Sequence, residues 1–320
     1  YNGEIYNYIE LRNQLTYSRF ATKSDTEVIL QAYRKWGPGC LDRFRGMFSF
    51  ALWNESESEL FCARDRFGIK PFYYMVVDDV FYFASEIKAL LPFVNRIETD
   101  LDAFKEYLTF QFCLAGKTLF RGIQELQPGH MLRVSKGKIE VSKYWEVYFK
   151  PDFNHTDTNV QDQVLDVLME SVRLHTRSDV PVGGYVSGGL DSSAVAAIAT
   201  KHLDDPFVGF TGKFSLGKDY DESYYARQLS EQCGFELYER EITATDFVEN
   251  LENIVYHLDY PVAGPGSFPQ FMVSEFASRH RKVVLGGQGG DEIFGDIFGS
   301  PEQAMAFKRL RGHSPSGHQG

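Results

Sequence analysis

Cysteine is scarce. The 320 residues hold four, at Cys40, Cys62, Cys113 and Cys233, and no two form a CxxC pair. That spacing offers neither a disulfide framework nor a zinc site, and it fits a reducing cytoplasm. Long apolar runs are missing too. No stretch approaches the roughly 18–20 residues that a membrane helix needs, so no membrane partner is expected. No charged-then-apolar secretory leader is read at the start. Basic charge is in the minority: 33 Lys and Arg against 44 Asp and Glu leave a net charge of −11. An acidic surface repels phosphate backbones, which argues against a nucleic-acid partner. No repeat of solenoid or propeller period is visible.

What is present suits two well-filled globular cores: 43% hydrophobic and 15% aromatic residues, over a length that allows two ordinary domains. The opening Tyr1-Asn2-Gly3-Glu4 reads as a turn with no strand before it. Residues 309–320 are rich in Gly, Ser, Pro and His and read as a frayed tail. Together these ends predict a fragment of a longer protein.

In the first half, Ser24-Asp25-Thr26-Glu27 opens a helix running to about Lys35. Ser24 is its expected N-cap, and Glu27, three residues on, completes a capping box. Gly37-Pro38-Gly39 ends it. Apolar strands follow at 47–53, 60–63, 72–77 and 80–84, with hairpin turns at 54–59 and at Asp78-Asp79. A helix over 101–107 and strands at 131–134 and 139–142 complete a strand-rich, layered α+β half. Cys40 and Cys62 lie in or beside apolar elements and read as core residues. Residues 149–159 are polar, contain Pro151 and have no apolar period, which marks a linker.

From residue 160 the rhythm changes. Val164, Leu165, Leu168 and Val172 share one face of a helix over 160–175. Strands at 180–186, 207–214, 237–242 and 282–285 then alternate with helices at 194–202, 223–233, 246–258 and 271–280. That alternation predicts an α/β fold with a doubly wound parallel sheet, whose ligand sits beyond the carboxyl ends of the strands. Both glycine-rich segments, 187–193 and 286–290, fall there.

Ser187-Gly188-Gly189-Leu190-Asp191-Ser192-Ser193 carries the strongest chemical signal. Glycines let the backbone turn sharply and aim several N–H groups at one anion. The following helix adds partial positive charge at its N-terminus. The hydroxyls of Ser187, Ser192 and Ser193 can donate to phosphate oxygens. Asp191 would repel a bare phosphate, but it makes sense as a ligand of Mg²⁺ bridging those oxygens. The plainer alternative is a tight strand-to-helix turn capped by Ser192. Two glycines, three serines and an acid exceed what such a turn needs. The run lacks the Gly-Lys-Ser/Thr of a Walker loop and the GxGxxG of a dinucleotide site. In the second segment, Gly286 and Gly287 would admit adenine or ribose, and Asp291 would add a metal contact.

The first run resembles the SGGxDS motif of the N-type ATP pyrophosphatases, which cleave ATP to AMP and pyrophosphate. Asn2-Gly3-Glu4-Ile5-Tyr6-Asn7 resembles the NGEIYN segment of class II glutamine amidotransferases. Residues 63–71 and 84–90 match that family in order. Amidotransferase, linker and pyrophosphatase, in this order, are similar to the asparagine synthetase B family. The resemblance covers roughly residues 1–295. It implies an N-terminal-nucleophile-type glutaminase domain at 1–148 with its N-terminal part missing, a linker at 149–159 and an ATP-pyrophosphatase domain at 160–320 with its C-terminal part missing. It further implies ATP and Mg²⁺ as cofactors, with glutamine, aspartate and ATP as small-molecule substrates, and it leaves room for a homodimer. Asn2 and Gly3 would form an oxyanion hole. With them, Glu4 and Asp25 would hold the glutamine head group. Residues 187–193, Val186, Gly212, Gly286 and Gly287 would contact ATP, and Asp191 and Asp291 the metal. Asp65-Arg66 and Lys70-Pro71 read as structural.

Departures from the family pattern accompany the match. Its cysteine nucleophile has no counterpart, so the polypeptide as written is not expected to hydrolyse glutamine. Gln288 replaces a glutamate thought to help deprotonate the attacking ammonia, and an amide cannot take a proton at neutral pH. Pro265 falls where an arginine gripping the acceptor's carboxylate is expected. Gln288 and Pro265 keep a different carboxylate acceptor open, as in lasso-peptide, β-lactam or surface-polysaccharide relatives. The intact NGEIYN segment argues against the β-lactam type. A non-catalytic nucleotide binder would have no need of both Asp191 and Asp291.

Overall fold

The computed structural model describes residues 1–294, apart from 17, 18, 153, 204, 216, 218–220 and 260–265. Pro265 and the expected tail at 309–320 therefore lie outside the described residues. The chain divides into two compact units. The first is 1–160 with 249–267, and the second is 161–248 with the described residues from 268 on.

The first unit begins with β1 (Asn2–Ile5), α1 (Tyr8–Gln14), α2 (Asp25–Trp36), β2 (Gly46–Asn54), β3 (Glu59–Arg64), β4 (Tyr73–Val77) and β5 (Val80–Ala84). It continues with α3 (Leu101–Phe110), β6 (Gln124–Glu125), β7 (His130–Ser135) and β8 (Lys138–Lys143). One antiparallel sheet runs β1-β2-β3-β7-β8, and a smaller one runs β5-β4-β6. Alternation along the strands builds the layers. Phe48, Phe50, Phe61 and Ala63 face α1 and α2 through Leu11, Val28, Ile29 and Ala32. Cys62, between Phe61 and Ala63, points the other way and packs with Leu132, Phe72 and Tyr74. Tyr73 and Met75 of the smaller sheet turn to Ile87 and Leu90. Helices, large sheet, small sheet and short turns therefore stack in that order. Cys40 and Cys62 are fully buried, and burial pushes both thiols up to about 12.

Two local expectations are corrected here. Asn2-Gly3 is not a turn: it lies in β1, with Asn2 opposite Ser49 and Gly3 opposite Phe48. Gly3 has φ +145, and a Cβ there would lie 2.1 Å from the Met47 carbonyl oxygen. Glycine is required by the close approach of β2, a demand that sequence alone cannot distinguish from a turn. Nor is there a reciprocal capping box on α2. Ser24 Oγ does accept from the Thr26 N–H at 3.1 Å. Glu27, however, reaches past Ser24 and accepts from the N–H groups of Ala21 and Thr22. The Ser24 N–H instead donates to Thr22 Oγ1. Gly37, at φ +56, ends α2 as expected. Asp78 and Asp79 both take left-handed φ, making the tight β4–β5 turn.

The second unit carries α4 (Asp157–His175), β9 (Val182–Tyr185), α5 (Leu190–Ala199), β10 (Val208–Lys213), α6 (Ser223–Cys233) and β11 (Glu236–Glu241). Then follow α7 (Ala244–Leu258), whose residues from 249 on group with the first unit, α8 (Ser267–Ser278), β12 (Val283–Leu285) and α9 (Gly290–Phe294). The sheet order is β11-β10-β9-β12 and every described pairing is parallel. Val208 and Phe210 of β10 pack with Met272, Val273 and Ala277 of α8. Gly209, between them, faces the opposite side, where a Cβ would crowd Phe235 and Val186. Val186 and Phe235 belong to a core with Val172 of α4, Ala196 and Ala199 of α5 and Ala226 of α6. Helices therefore cover both faces of a parallel sheet. Helix α5 starts four residues earlier than the apolar pattern predicts, so Leu190 to Ser193 form its first turn. Among the described residues, no helix is long and apolar enough to cross a membrane.

Candidate functional site

In the second unit, Tyr185 ends β9, and Gly189 is the N-cap of α5 without a side-chain cap. Gly188 takes φ +96, and a Cβ there would lie 2.6 Å from the Glu222 carbonyl oxygen. Only glycine lets the loop pass so close to the start of α6. The loop is braced from within. Ser187 and Ser192 hydroxyls meet at 2.9 Å, and Ser192 Oγ also donates to the Gly189 carbonyl oxygen. The N–H groups of Ser187 and Gly189 donate to Ser192 Oγ and Ser187 Oγ. Ser192 is buried, so its hydroxyl shapes the loop. The first-turn N–H groups of α5 give this helix start the partial positive charge that suits an anion. Val186 is fully buried, and its N–H donates to the Phe210 carbonyl oxygen at 2.8 Å. Gly212 lies in β10, where a Cβ would press on Ile242 and Val273. Its glycine is accounted for by packing.

The second glycine-rich segment follows β12 and packs on this helix start. A Cβ on Gly287 would lie 2.5 Å from the Ser192 nitrogen, and one on Gly290 would lie 2.1 Å from Asp191 Oδ2. Both glycines exist to let the two loops touch. Gly286 has ordinary room beside Tyr185. Gln288 is exposed in the turn before α9, and Asp291 is exposed in the first turn of α9. Among the described residues, no group of three His, Cys, Asp or Glu side chains gathers around a cation position. Mg²⁺ needs no such cage. It takes one or two carboxylates and fills its octahedron with waters and phosphate oxygens. Asp191, held over Gly290, and Asp291 one residue further fit that modest demand.

In the first unit, Asn2 Nδ2 donates to Ser85 Oγ at 3.3 Å. Asp25 Oδ2 accepts from the Ile5 N–H at 3.0 Å and from the Tyr1 hydroxyl at 2.6 Å, so this carboxylate anchors β1. Glu4 lies opposite Met47 in the β1–β2 pairing. Asn2, Glu4 and Asp25 are thus gathered at one strand by main-chain pairing and one carboxylate. Asp65 is buried, and its two oxygens accept from the N–H groups of Phe48, Phe67, Ile69 and Lys70. Arg64 and Arg66 donate to backbone carbonyls, including those of Lys70, Leu126 and Phe44. These contacts support the structural reading of the 63–71 segment.

One cluster has no local signature in the sequence. Lys88 Nζ lies 2.8 Å from Glu86 and 3.0 Å from Asp259, with Asp259 only 9% exposed. Burial works against the Lys88 charge, but hydrogen bonds to Glu86 and Asp259 outweigh it and hold its pKa above the ordinary lysine value. The only advance signal was that Lys88 lies in the family-matching 84–90 segment, which names no partner.

Two family models match the chain one after the other. The family model for the glutamine amidotransferase domain matches residues 1–145, and that for asparagine synthase matches residues 163–313. The chain is 38% identical to asparagine synthetase (glutamine-hydrolyzing) 1 of Bacillus subtilis (strain 168), a match covering 99% of this chain and 50% of that protein. It is 40% identical to a protein of Mycobacterium tuberculosis (strain ATCC 25618 / H37Rv) provisionally named as the same type of enzyme, over 97% of this chain and 49% of that one. It is 29% identical to amidase chry2 of Gibberella zeae, over 92% of this chain and 46% of that protein. The chain thus spans about half the length of the curated relatives it matches. Along nearly its whole length it belongs to the family of glutamine-hydrolysing asparagine synthetases, with a glutamine amidotransferase domain ahead of an asparagine synthase domain.

Proposed function

We propose that this chain contributes to a glutamine-dependent asparagine synthetase. In that reaction the side-chain carboxylate of aspartate attacks the α-phosphorus of ATP and pyrophosphate leaves. Ammonia from glutamine then attacks the β-aspartyl adenylate, and AMP leaves as asparagine forms. We assign residues 1–148 to an N-terminal-nucleophile-type glutaminase, 149–159 to a linker and 160–320 to the ATP-pyrophosphatase domain.

The observation that carries this reading is the packing of Gly287 and Gly290 on Ser192 and Asp191. It brings an anion-binding helix start and a carboxylate to the ends of β9 and β12. The N–H groups opening α5 would take the phosphate oxygens, and Gly188 and Gly189 would keep Cβ atoms out of their way. Asp191 and Asp291 would hold Mg²⁺, which when bound offsets charge on the triphosphate and the leaving pyrophosphate. In the glutaminase half, the Asn2 carboxamide and the Gly3 N–H would donate to the oxyanion formed as the glutamine amide is cleaved. Glu4 and Asp25 would fix the head group's ammonium. Asp25 would do so while its Oδ2 still accepts from Ile5 and Tyr1.

The test is aspartate-dependent exchange of labelled pyrophosphate into ATP by the complete gene product. Exchange that needs both Mg²⁺ and aspartate supports the reading. Exchange indifferent to aspartate would remove aspartate as acceptor. One observation favours that second outcome: Gln288 stands exposed on the loop where the family carries a glutamate. The alternative is the same adenylation and amidation on another carboxylate.

A further inference from the structure

Asn2 begins a four-residue edge strand, and an asparagine there must hold its amide plane steady to act as an oxyanion donor. The side-chain amide has two N–H groups. One of them goes to Ser85 Oγ at 3.3 Å, across 83 positions of sequence. Ser85 follows the last residue of β5; it is exposed, but the chain is held on both sides of it. On one side, Tyr73 of β4 pairs with Ala84. On the other, a 3₁₀ turn at Ile87–Ala89 is buried through Ile87 against Tyr73 and Met75. Asp259 clamps the same turn twice. Its carboxylate lies 3.0 Å from Lys88 Nζ and 3.5 Å from the Lys88 backbone nitrogen. Tyr256 adds its ring 5.0 Å from Lys88 Nζ. Asp259 holds a left-handed φ of 54, which aspartate tolerates better than most residues.

We propose that Ser85 is a positioning residue for glutamine cleavage: its hydroxyl orients the Asn2 carboxamide, and the Lys88–Asp259 pair holds Ser85 in place. The inference rests on the glutaminase reading of Asn2. The amide's second N–H is the one the oxyanion would take. The carboxamide would be locked before substrate arrives, which is how an oxyanion hole gains its effect. Asp259 lies far along the sequence, directly before the 260–265 segment and α8, yet it groups with the first unit. The brace therefore makes the glutaminase site depend on a residue from the second half of the chain.

The test is steady-state glutamine hydrolysis by the complete gene product, comparing the parent with Ser85→Ala, Ser85→Thr, Lys88→Met and Asn2→Ala. A positioning role predicts that Ser85→Ala lowers kcat about ten-fold with KM for glutamine nearly unchanged. That is a smaller loss than the roughly hundred-fold or more expected on removing an oxyanion donor. Ser85→Thr, which keeps the hydroxyl, should recover most of the rate. Lys88→Met should fall in kcat in the same way, and Ser85→Ala added to Asn2→Ala should cost nothing more. Unchanged kcat in Ser85→Ala, or a loss that Ser85→Thr does not restore, overturns the proposal. So does additivity with Asn2→Ala. If Asn2→Ala itself hydrolyses glutamine at the parent rate, the glutaminase reading of Asn2 has failed instead.

Discussion

Gly3 and Gly188 both exclude a side chain, and they do so in opposite settings. Gly3 sits inside a strand, where a Cβ would strike the Met47 carbonyl oxygen of the neighbouring strand. Gly188 sits in a strand-to-helix turn, where a Cβ would strike the Glu222 carbonyl oxygen. The first candidate site is a sheet edge with one carboxamide and one N–H, which the proposed function assigns to a single oxyanion. The second is a helix start with several N–H groups and a carboxylate, suited to a polyphosphate with its cation. The lesson is that charge demand sets the scaffold. One developing negative charge needs two fixed donors, whereas a triphosphate needs a helix end and a metal ligand.

If the two sites are separate machines, damage to one should leave the other running. The largest effect is expected from Asp191→Ala in the complete gene product. Mg·ATP-dependent pyrophosphate release should drop at least about a thousand-fold, roughly 4 kcal/mol of barrier. Glutamine hydrolysis should continue. Asn2→Ala should do the reverse, lowering glutamine hydrolysis about a hundred- to a thousand-fold while ammonia-driven synthesis proceeds. Parallel loss of both activities would make Asn2 a structural residue and break the comparison. Asp65→Ala probes the scaffold under the first site. Four backbone N–H groups would lose their acceptor, and urea unfolding should show a loss of about 3 kcal/mol. Ser24→Ala removes a single cap bond, and about 1 kcal/mol is expected in the same measurement.

Legibility in sequence differed between the regions for physical reasons. The alternating strands and helices after residue 160 were readable because buried strands and amphipathic helices have distinct periods. The 187–193 loop stood out because glycine and serine cluster there. Its boundary did not: the Gly189 cap carries no side chain to mark it, so the helix turn beginning at Leu190 read as loop. Strand β1 was hidden because Asn-Gly is a turn signal unless a neighbouring strand is known to press on it. Helix α1 was missed as well. It spans seven residues without a side-chain cap and is held by the burial of Leu11 and by Asn7 bonding to Arg43 and Arg45. The sequence marks Glu27 as a helix-start residue but not its partners, because a glutamate can reach beyond the cap. The contacts Asn2–Ser85 and Lys88–Asp259 join positions 83 and 171 apart, which no local pattern reports.

The most direct measurement follows the amide nitrogen. The complete gene product would be given Mg·ATP, aspartate and glutamine carrying heavy nitrogen in its amide. The product would be read by mass spectrometry alongside pyrophosphate release. The account predicts heavy asparagine formed one-for-one with pyrophosphate, and no pyrophosphate without aspartate. Pyrophosphate release with no asparagine, from folded protein that still cleaves glutamine, would contradict aspartate as acceptor and shift the assignment to another carboxylate.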